Sequence, residues 1–216
     1  MPGKSRKIWS LILVMMTLSS CLSRKDSSIY IPVGECTGCP AGTNEVKTVY
    51  RDALLTNSDT FGAVMIPGTP LCLPVMKSGD PKEYLRKDIR GDRSVRGTPF
   101  VIFEEDDPEK VLVICGHYYV SGEVFGTVHM FLDDPLFLEE HRRLLFCNED
   151  GVKEYSILGS SCVSSAELAE AVGKGRDGLR KLFGADESKS SLIVLVTCMD
   201  YRGSGDRRVL WAVGEW

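Results

Sequence analysis

Covalent catalysis by cysteine asks three things of a sequence: a thiol that can become a thiolate, an imidazole to move its proton, and a donor for the oxyanion formed on attack. The chain has eight cysteines but only three histidines, so the choice of base is narrow. His117 follows the apolar run from Val111 to Cys115 and a glycine, which puts its imidazole at a strand end rather than deep in a core. His129 lies among apolar neighbours in a helical patch and His141 in the charged stretch "LEEHRR"; both read as structural or solvated. Cys198 ends the run "SLIVLVTCM", which is followed by the Gly-rich turn sequence "YRGSGD" and the run "RRVLWAVGEW", the pattern of an antiparallel hairpin. With the turn centred on Gly203, Cys198 stands opposite Arg208, their Cβ atoms about 4.5–5.5 Å apart. Arg207 then faces the other way, and a one-residue slip of register would exchange the two arginines. The chemistry expected is nucleophilic attack by Cys198, with His117 as proton partner and Arg208 beside the developing charge.

The other cysteines suit plainer roles. Cys72, Cys115, Cys147 and Cys162 lie in or beside apolar stretches, where a free thiol behaves as a small hydrophobe. Cys36 and Cys39 form a lone C-x-x-C with no second ligand pair at metal spacing, which fits a loop disulfide or idle thiols better than zinc. The scattered acids form no evident calcium site. No metal or organic cofactor is indicated.

These candidates need a scaffold, and the hydrophobic pattern supplies one. Eight short apolar runs, "FGAVMIP", "LCLPVM", "TPFVIF", "KVLVICGHYY", "RRLLFC", "EYSILG", "SLIVLVTCM" and "RRVLWAVGEW", alternate with turn residues and read as strands of a barrel or sandwich. Helical patches interrupt them at "PKEYLRKD", at "VFGTVHMFLDDPLFLEEHRR" and from Ser165 to Phe183. The last opens with a capping box, Ser164 and Glu167, and carries Leu168, Ala171, Val172, Leu179, Leu182 and Phe183 on one face. Gly173, Gly175 and Gly178 weaken it, so a bend is expected. "SLIVLVT" is apolar at both parities, as for a strand with the barrel interior on one side and a helix on the other.

Upstream of the domain, Lys4, Arg6 and Lys7 precede an apolar run from Ile8 to Leu18 and then "LSSC", the layout of a secretory signal. The run is shorter than the roughly 20 residues a spanning helix needs. Leu18 to Cys21 resemble a bacterial lipobox, which implies cleavage before Cys21 and lipid on its sulfur; an uncleaved signal anchor is the alternative. The expected division is a signal over 1–21, a flexible tether over 22–48 and one folded domain over 49–216, working as a monomer on the outer face of a bacterial membrane. A net charge of −4 speaks against a nucleic-acid partner, because binding to phosphates needs clustered Lys and Arg.

The motifs carry a resemblance. "GHYYVSGEVFGTVHMFLDDPLFLEEH" resembles the block around the catalytic histidine of class B sortases, with a Gly-His pair, a Phe-Gly, and an Asp-x-x-x-Phe-x-x-x-His pattern at Asp133, Phe137 and His141. "VLVTC" is similar to their nucleophile motif and "RRVLWAV" to the arginine strand that follows it. Val194 stands where that motif has Thr, Val196 where a hydroxyl is common, and Tyr118 where Asn is frequent. The resemblance runs from about Asn57 to the C-terminus. It implies a sortase-like eight-stranded β-barrel with peripheral helices, one of them between the sixth and seventh strands. It also implies a cysteine transpeptidase that cleaves an Asn-Pro-x-Thr or Leu-Pro-x-Thr-Gly-like sorting signal of exported proteins through a thioester on Cys198. The acceptor would be a cell-wall precursor or pilin amine, and Leu85 and Val196 would line the substrate groove. Two other readings stand beside it: a non-catalytic surface lipoprotein that binds peptide or cell-wall glycan, and a redox protein using Cys36 and Cys39.

Overall fold

The computed structural model describes residues 42–80, 82–105, 110–119, 124–185, 190–198 and 205–214, the side chain of Cys198 excepted. The signal, Cys21, Cys36 and Cys39 lie outside the described residues. No described helix is long and apolar enough to cross a membrane.

All eight apolar runs are strands: β1 (Thr60–Met65), β2 (Cys72–Met76), β3 (Phe100–Glu105), β4 (Val111–Cys115), β5 (Arg143–Asn148), β6 (Gly151–Ser164), β7 (Ser191–Cys198) and β8 (Asp206–Gly214). They close into a barrel in the order β1-β2-β3-β4-β7-β8-β6-β5. The β2–β3 and β4–β7 pairs are parallel and the remaining pairs antiparallel. Closure leaves no open sheet edge, and every strand turns one parity inward. Val64, Val75, Val101, Ile114, Phe146, Ile157, Leu195 and Leu210, one from each strand, share the interior cluster.

The outer face is covered in two places. Helix α1 (Thr43–Thr56) lays Val46, Val49 and Tyr50 on Ala63, Met65, Leu145 and Cys147. Residues 43–48 were expected to end a flexible tether, and that boundary is corrected: they are helical, because Val46, Val49, Tyr50 and Ala53 recur at the i, i+3, i+4, i+7 spacing of one helix face. On the opposite side α4 (Ser165–Gly173) and α5 (Gly175–Phe183) cover the outward residues of β4, β7 and β8. Their capping box is formed: Ser164 Oγ accepts from Glu167 N at 3.2 Å, and Glu167 Oε2 accepts from Ser164 N at 3.2 Å. Such a cap contributes about 1 kcal/mol. The expected bend is a full break at Gly175, whose φ of 70° is left-handed. Gly178 lets the two helices meet, since a Cβ there would lie 2.4 Å from the Ala171 carbonyl oxygen.

Helix α2 (Thr127–Asp133) brings Val128 and Phe131 into the interior cluster, and α3 (Pro135–Glu140) packs Phe137 and Leu138 against it. The patch "PKEYLRKD" forms only a 3-10 turn, Glu83–Leu85, in the long connection between β2 and β3.

Candidate active site

The site is set by register. Parallel pairing of β4 and β7 runs from Val111 opposite Leu192 to Cys115 opposite Val196, and Gly116 N donates to Val196 O at 3.0 Å. His117 lies two residues beyond Cys115, and Cys198 two beyond Val196. The two are therefore abreast on neighbouring chains, which run about 4.8 Å apart in a sheet. On the other side of β7, Cys198 is in antiparallel register with Arg207 of β8. Continued two residues past the β4–β7 ladder, the register sets His117, just beyond β4, level with Cys198 at the end of β7, and the β7–β8 ladder pairs Cys198 with Arg207 near the start of β8.

This register corrects the arginine. Arg208 was expected opposite Cys198, from a turn centred on Gly203; the ladder is one residue out, pairing Thr197 with Arg208 and Cys198 with Arg207. With a side-chain period of two, that slip exchanges faces. Arg207 takes the parity of Val209, whose neighbours are the residues under α4 and α5, and is 1% exposed. Its Nη1 donates to Asp206 O at 2.9 Å. Arg208 takes the parity of Leu210 and Ala212 in the barrel interior. There its Nη1 donates to His129 O at 3.0 Å and to Asp133 Oδ1 at 2.7 Å, tying β8 to α2.

His117 is 4% exposed, more enclosed than its strand-end position implied. Its Nε2 lies 2.7 Å from the carbonyl oxygen of Leu85. A carbonyl can only accept, so Nε2 carries the hydrogen, and in the neutral ring Nδ1 is the basic nitrogen. Burial pushes the imidazole pKa below its ordinary value; the Leu85 hydrogen bond opposes this, and the nearby Arg86 charge adds to it. The resting ring at neutral pH is therefore uncharged.

Leu85 is itself held from several sides. Tyr84 OH donates to Asp59 Oδ2 at 2.8 Å and accepts from Asn57 Nδ2 at 2.8 Å, and its pKa is pushed up to about 12, first by burial and then by the Asp59 bond. Thr98 N donates to Tyr84 O at 3.0 Å. Between them Gly97 takes φ 58°, and a Cβ there would stand 2.6 Å from Leu85 O.

The groove residues fall differently from expectation. Leu85 is 6% exposed and serves the site through its carbonyl, while Val196 is fully buried among Val194, Val209 and the α4–α5 residues. Neither side chain lines an open groove, because both belong to the layer between barrel and helices. Of the cysteines, Cys115 and Cys147 are buried as expected and Cys72 is partly covered, but Cys162 is exposed, in register with Arg208 near the end of β6. His129 is buried and stacks on Tyr118, and His141 Nδ1 lies 3.2 Å from Pro67 O. Among the described residues no cluster of His, Cys, Asp and Glu could hold a metal ion. Sequence reasoning missed Arg207, the Leu85 carbonyl and Gly97. The first depended on one step of register; the carbonyl has no sequence signal, and Gly97 in "VRGTPF" was legible only as a turn residue.

Comparison with known proteins places the fold. No protein-family model matches the chain, and no curated protein matches it. Solved structures do. Clostridium perfringens sortase B superposes with a TM-score of 0.64 at 18% identity, covering 76% of this chain and 98% of that one. The Staphylococcus aureus sortase B–substrate complex gives 0.60 at 18% identity, covering 78% and 85%. Listeria monocytogenes sortase B gives 0.59 at 22% identity, covering 76% and 98%. The barrel order, the helices between the sixth and seventh strands and this likeness agree: the chain has the class B sortase fold.

Proposed function

We propose that the protein is a cysteine transpeptidase in which Cys198 is the nucleophile, His117 the proton carrier and Arg207 the oxyanion-side cation. The observation that carries this reading is the pairing of Cys198 with Arg207, together with a β4–β7 register that, continued two residues, brings His117 level with Cys198. A fold alone hosts many activities, so the argument rests on this juxtaposition.

The Cys198 thiol gives its proton to Nδ1 of neutral His117 as sulfur attacks the carbonyl after the Thr of a sorting signal. The tetrahedral oxyanion gains from the Arg207 guanidinium, whose charge persists at every working pH and whose burial keeps the local dielectric low. His117, now cationic, protonates the leaving amine, and a thioester remains on Cys198. An amine from a cell-wall precursor or pilin then attacks the thioester and transfers its proton to neutral His117, which passes that proton to the departing sulfur as the Cys198 thiol is released. The substrate is an exported protein with an Asn-Pro-x-Thr or Leu-Pro-x-Thr-Gly-like signal. The S. aureus relative in fold is known as a substrate complex, which supports a peptide substrate for this fold. The amino-terminal signal with its lipobox at Cys21 would anchor the enzyme on the outer face of the membrane.

The test mixes the domain with a small library of sorting peptides and an amine, and follows products by mass. Transfer that disappears in Cys198→Ala and in His117→Ala is the expected result. Absence of any acyl-enzyme on Cys198 across the library would overturn the reading.

A further inference from the structure

His117 and Tyr118 are tied to the residues that lead into α2. Phe125 N donates to His117 O at 3.1 Å, and Tyr118 and Val124 form an antiparallel bridge. The Phe125 ring presses on the backbone of Gly116, where a Cβ would come within 2.7 Å of it. Val124 has φ 52°, a left-handed conformation that strains a β-branched residue and persists only where its surroundings hold it. The His129 ring stacks on Tyr118 with centroids 3.7 Å apart and planes 14° from parallel. These contacts are therefore only as well placed as α2. That helix has seven residues and no side-chain N-cap, too short to stand without tertiary support. Arg208 supplies such support, through one Nη1 that reaches both the His129 carbonyl and the Asp133 carboxylate.

We infer that Arg208 is a positioning residue for His117. By gripping α2 at His129 and Asp133 it holds the Phe125–His117 bond, the Tyr118–Val124 bridge and the His129–Tyr118 stack that together place the imidazole. The two adjacent arginines then divide the work: Arg207 pairs with Cys198, and Arg208 anchors the base from behind. The catalytic half of this inference rests on the transpeptidase reading, whereas the mechanical half does not.

The experiment compares Arg208→Gln, Arg208→Lys and Asp133→Asn with the parent domain. Hydrogen exchange is followed over residues 116–133, the Nε2–H resonance of His117 by NMR, and kcat and KM by peptide transfer. Expected for Arg208→Gln are amide exchange over that segment about tenfold faster with β7 and α4 unchanged, and loss of the Nε2–H signal to solvent exchange. Turnover should fall about 10- to 100-fold in kcat with little change in KM, as misplacement of a proton carrier does. Arg208→Lys should restore all three to within about threefold, and Asp133→Asn should lie between. Unchanged exchange and an unchanged His117 resonance in Arg208→Gln overturn the inference, whatever happens to kcat; so does faster exchange with full kcat, which marks a plain structural tie. If the parent domain transfers nothing, the transpeptidase reading fails alone, and the two substrate-free measurements still decide the grip.

Discussion

The Nε2 atom of His117 lies 2.7 Å from the carbonyl oxygen of Leu85, a residue 32 positions earlier in the chain. This bond joins the connection between β2 and β3 to the end of β4, and it fixes which ring nitrogen carries hydrogen in the neutral imidazole. The Tyr84–Asp59–Asn57 bonds hold the Leu85 carbonyl from the α1–β1 side. The His117 ring is thus oriented by a backbone atom whose own position depends on the bonds among the Tyr84, Asp59 and Asn57 side chains.

Gly97 is the point at which that arrangement is most sensitive. A methyl group there would meet Leu85 O at 2.6 Å and Tyr84 O at 2.7 Å while forcing an L residue to φ 58°. Gly97→Ala should displace the carbonyl, cut transfer activity by about 10- to 100-fold through loss of ring orientation, and lower stability by more than about 1 kcal/mol. Activity assays with thermal melts check this. A fully active Gly97→Ala protein would show that the Leu85 bond does not orient the base.

The low pKa of His117 makes stability depend on pH in a stated direction. The unfolded chain binds this proton near pH 6.5, its ordinary value, whereas burial keeps the folded ring neutral to lower pH. The contribution is therefore fully present above about pH 6.5 and is lost as pH falls from there toward the folded pKa. Melting temperature should fall between pH 7 and pH 5, and His117→Gln should fall less over the same window. Equal slopes in the two proteins would show that another group carries the effect.

Much of the scaffold was legible because its signals are local. The eight strands followed from apolar runs and turn residues, and the α4 boundary from Ser164 and Glu167. Cys198 and His117 were singled out because each lies at the end of an apolar run, and the β4–β7 register, continued two residues past Cys115 and Val196, sets them level. The choice between Arg207 and Arg208 was not, because a one-residue change in register reverses every face, and composition does not set the centre of a Gly-rich turn. Helix α1 was hidden for another reason: its polar residues outnumber the few that pack, so "TNEVKTVYRDALLT" resembles linker in composition while Val46 and Ala53 keep helical spacing.

The thiols differ enough in surroundings to be told apart by alkylation. Burial pushes Cys72 up to about 12 and raises Cys147 as well, so neither offers thiolate at neutral pH, and Cys115 is enclosed out of reach of a reagent. Cys162 is exposed. In the folded domain at pH 7.5, a methanethiosulfonate should label Cys162 and leave Cys72, Cys115 and Cys147 intact, as read by peptide mass mapping. A Cys162→Ser background then isolates capture at Cys198. Labelling of Cys115 in native buffer would contradict the packing of β4 against β7.

The division of labour between the arginines gives the sharpest kinetic contrast. Arg207 and Lys carry the same charge, but Lys lacks the planar fork and is more costly to bury, so Arg207→Lys removes oriented donors from a fully enclosed position. Loss of one oxyanion-side donor costs about 10²–10³ in kcat. Arg208→Lys keeps a cation beside Asp133 and the His129 carbonyl, where a single ammonium can reach both acceptors in turn. Steady-state transfer assays on the two lysine variants should therefore differ by about 30-fold or more in kcat, with Arg207→Lys the slower, once melts show both are folded. The reverse order would put Arg208 at the reacting carbonyl and would mean that β7 and β8 pair in solution one residue away from the register that sets Cys198 opposite Arg207.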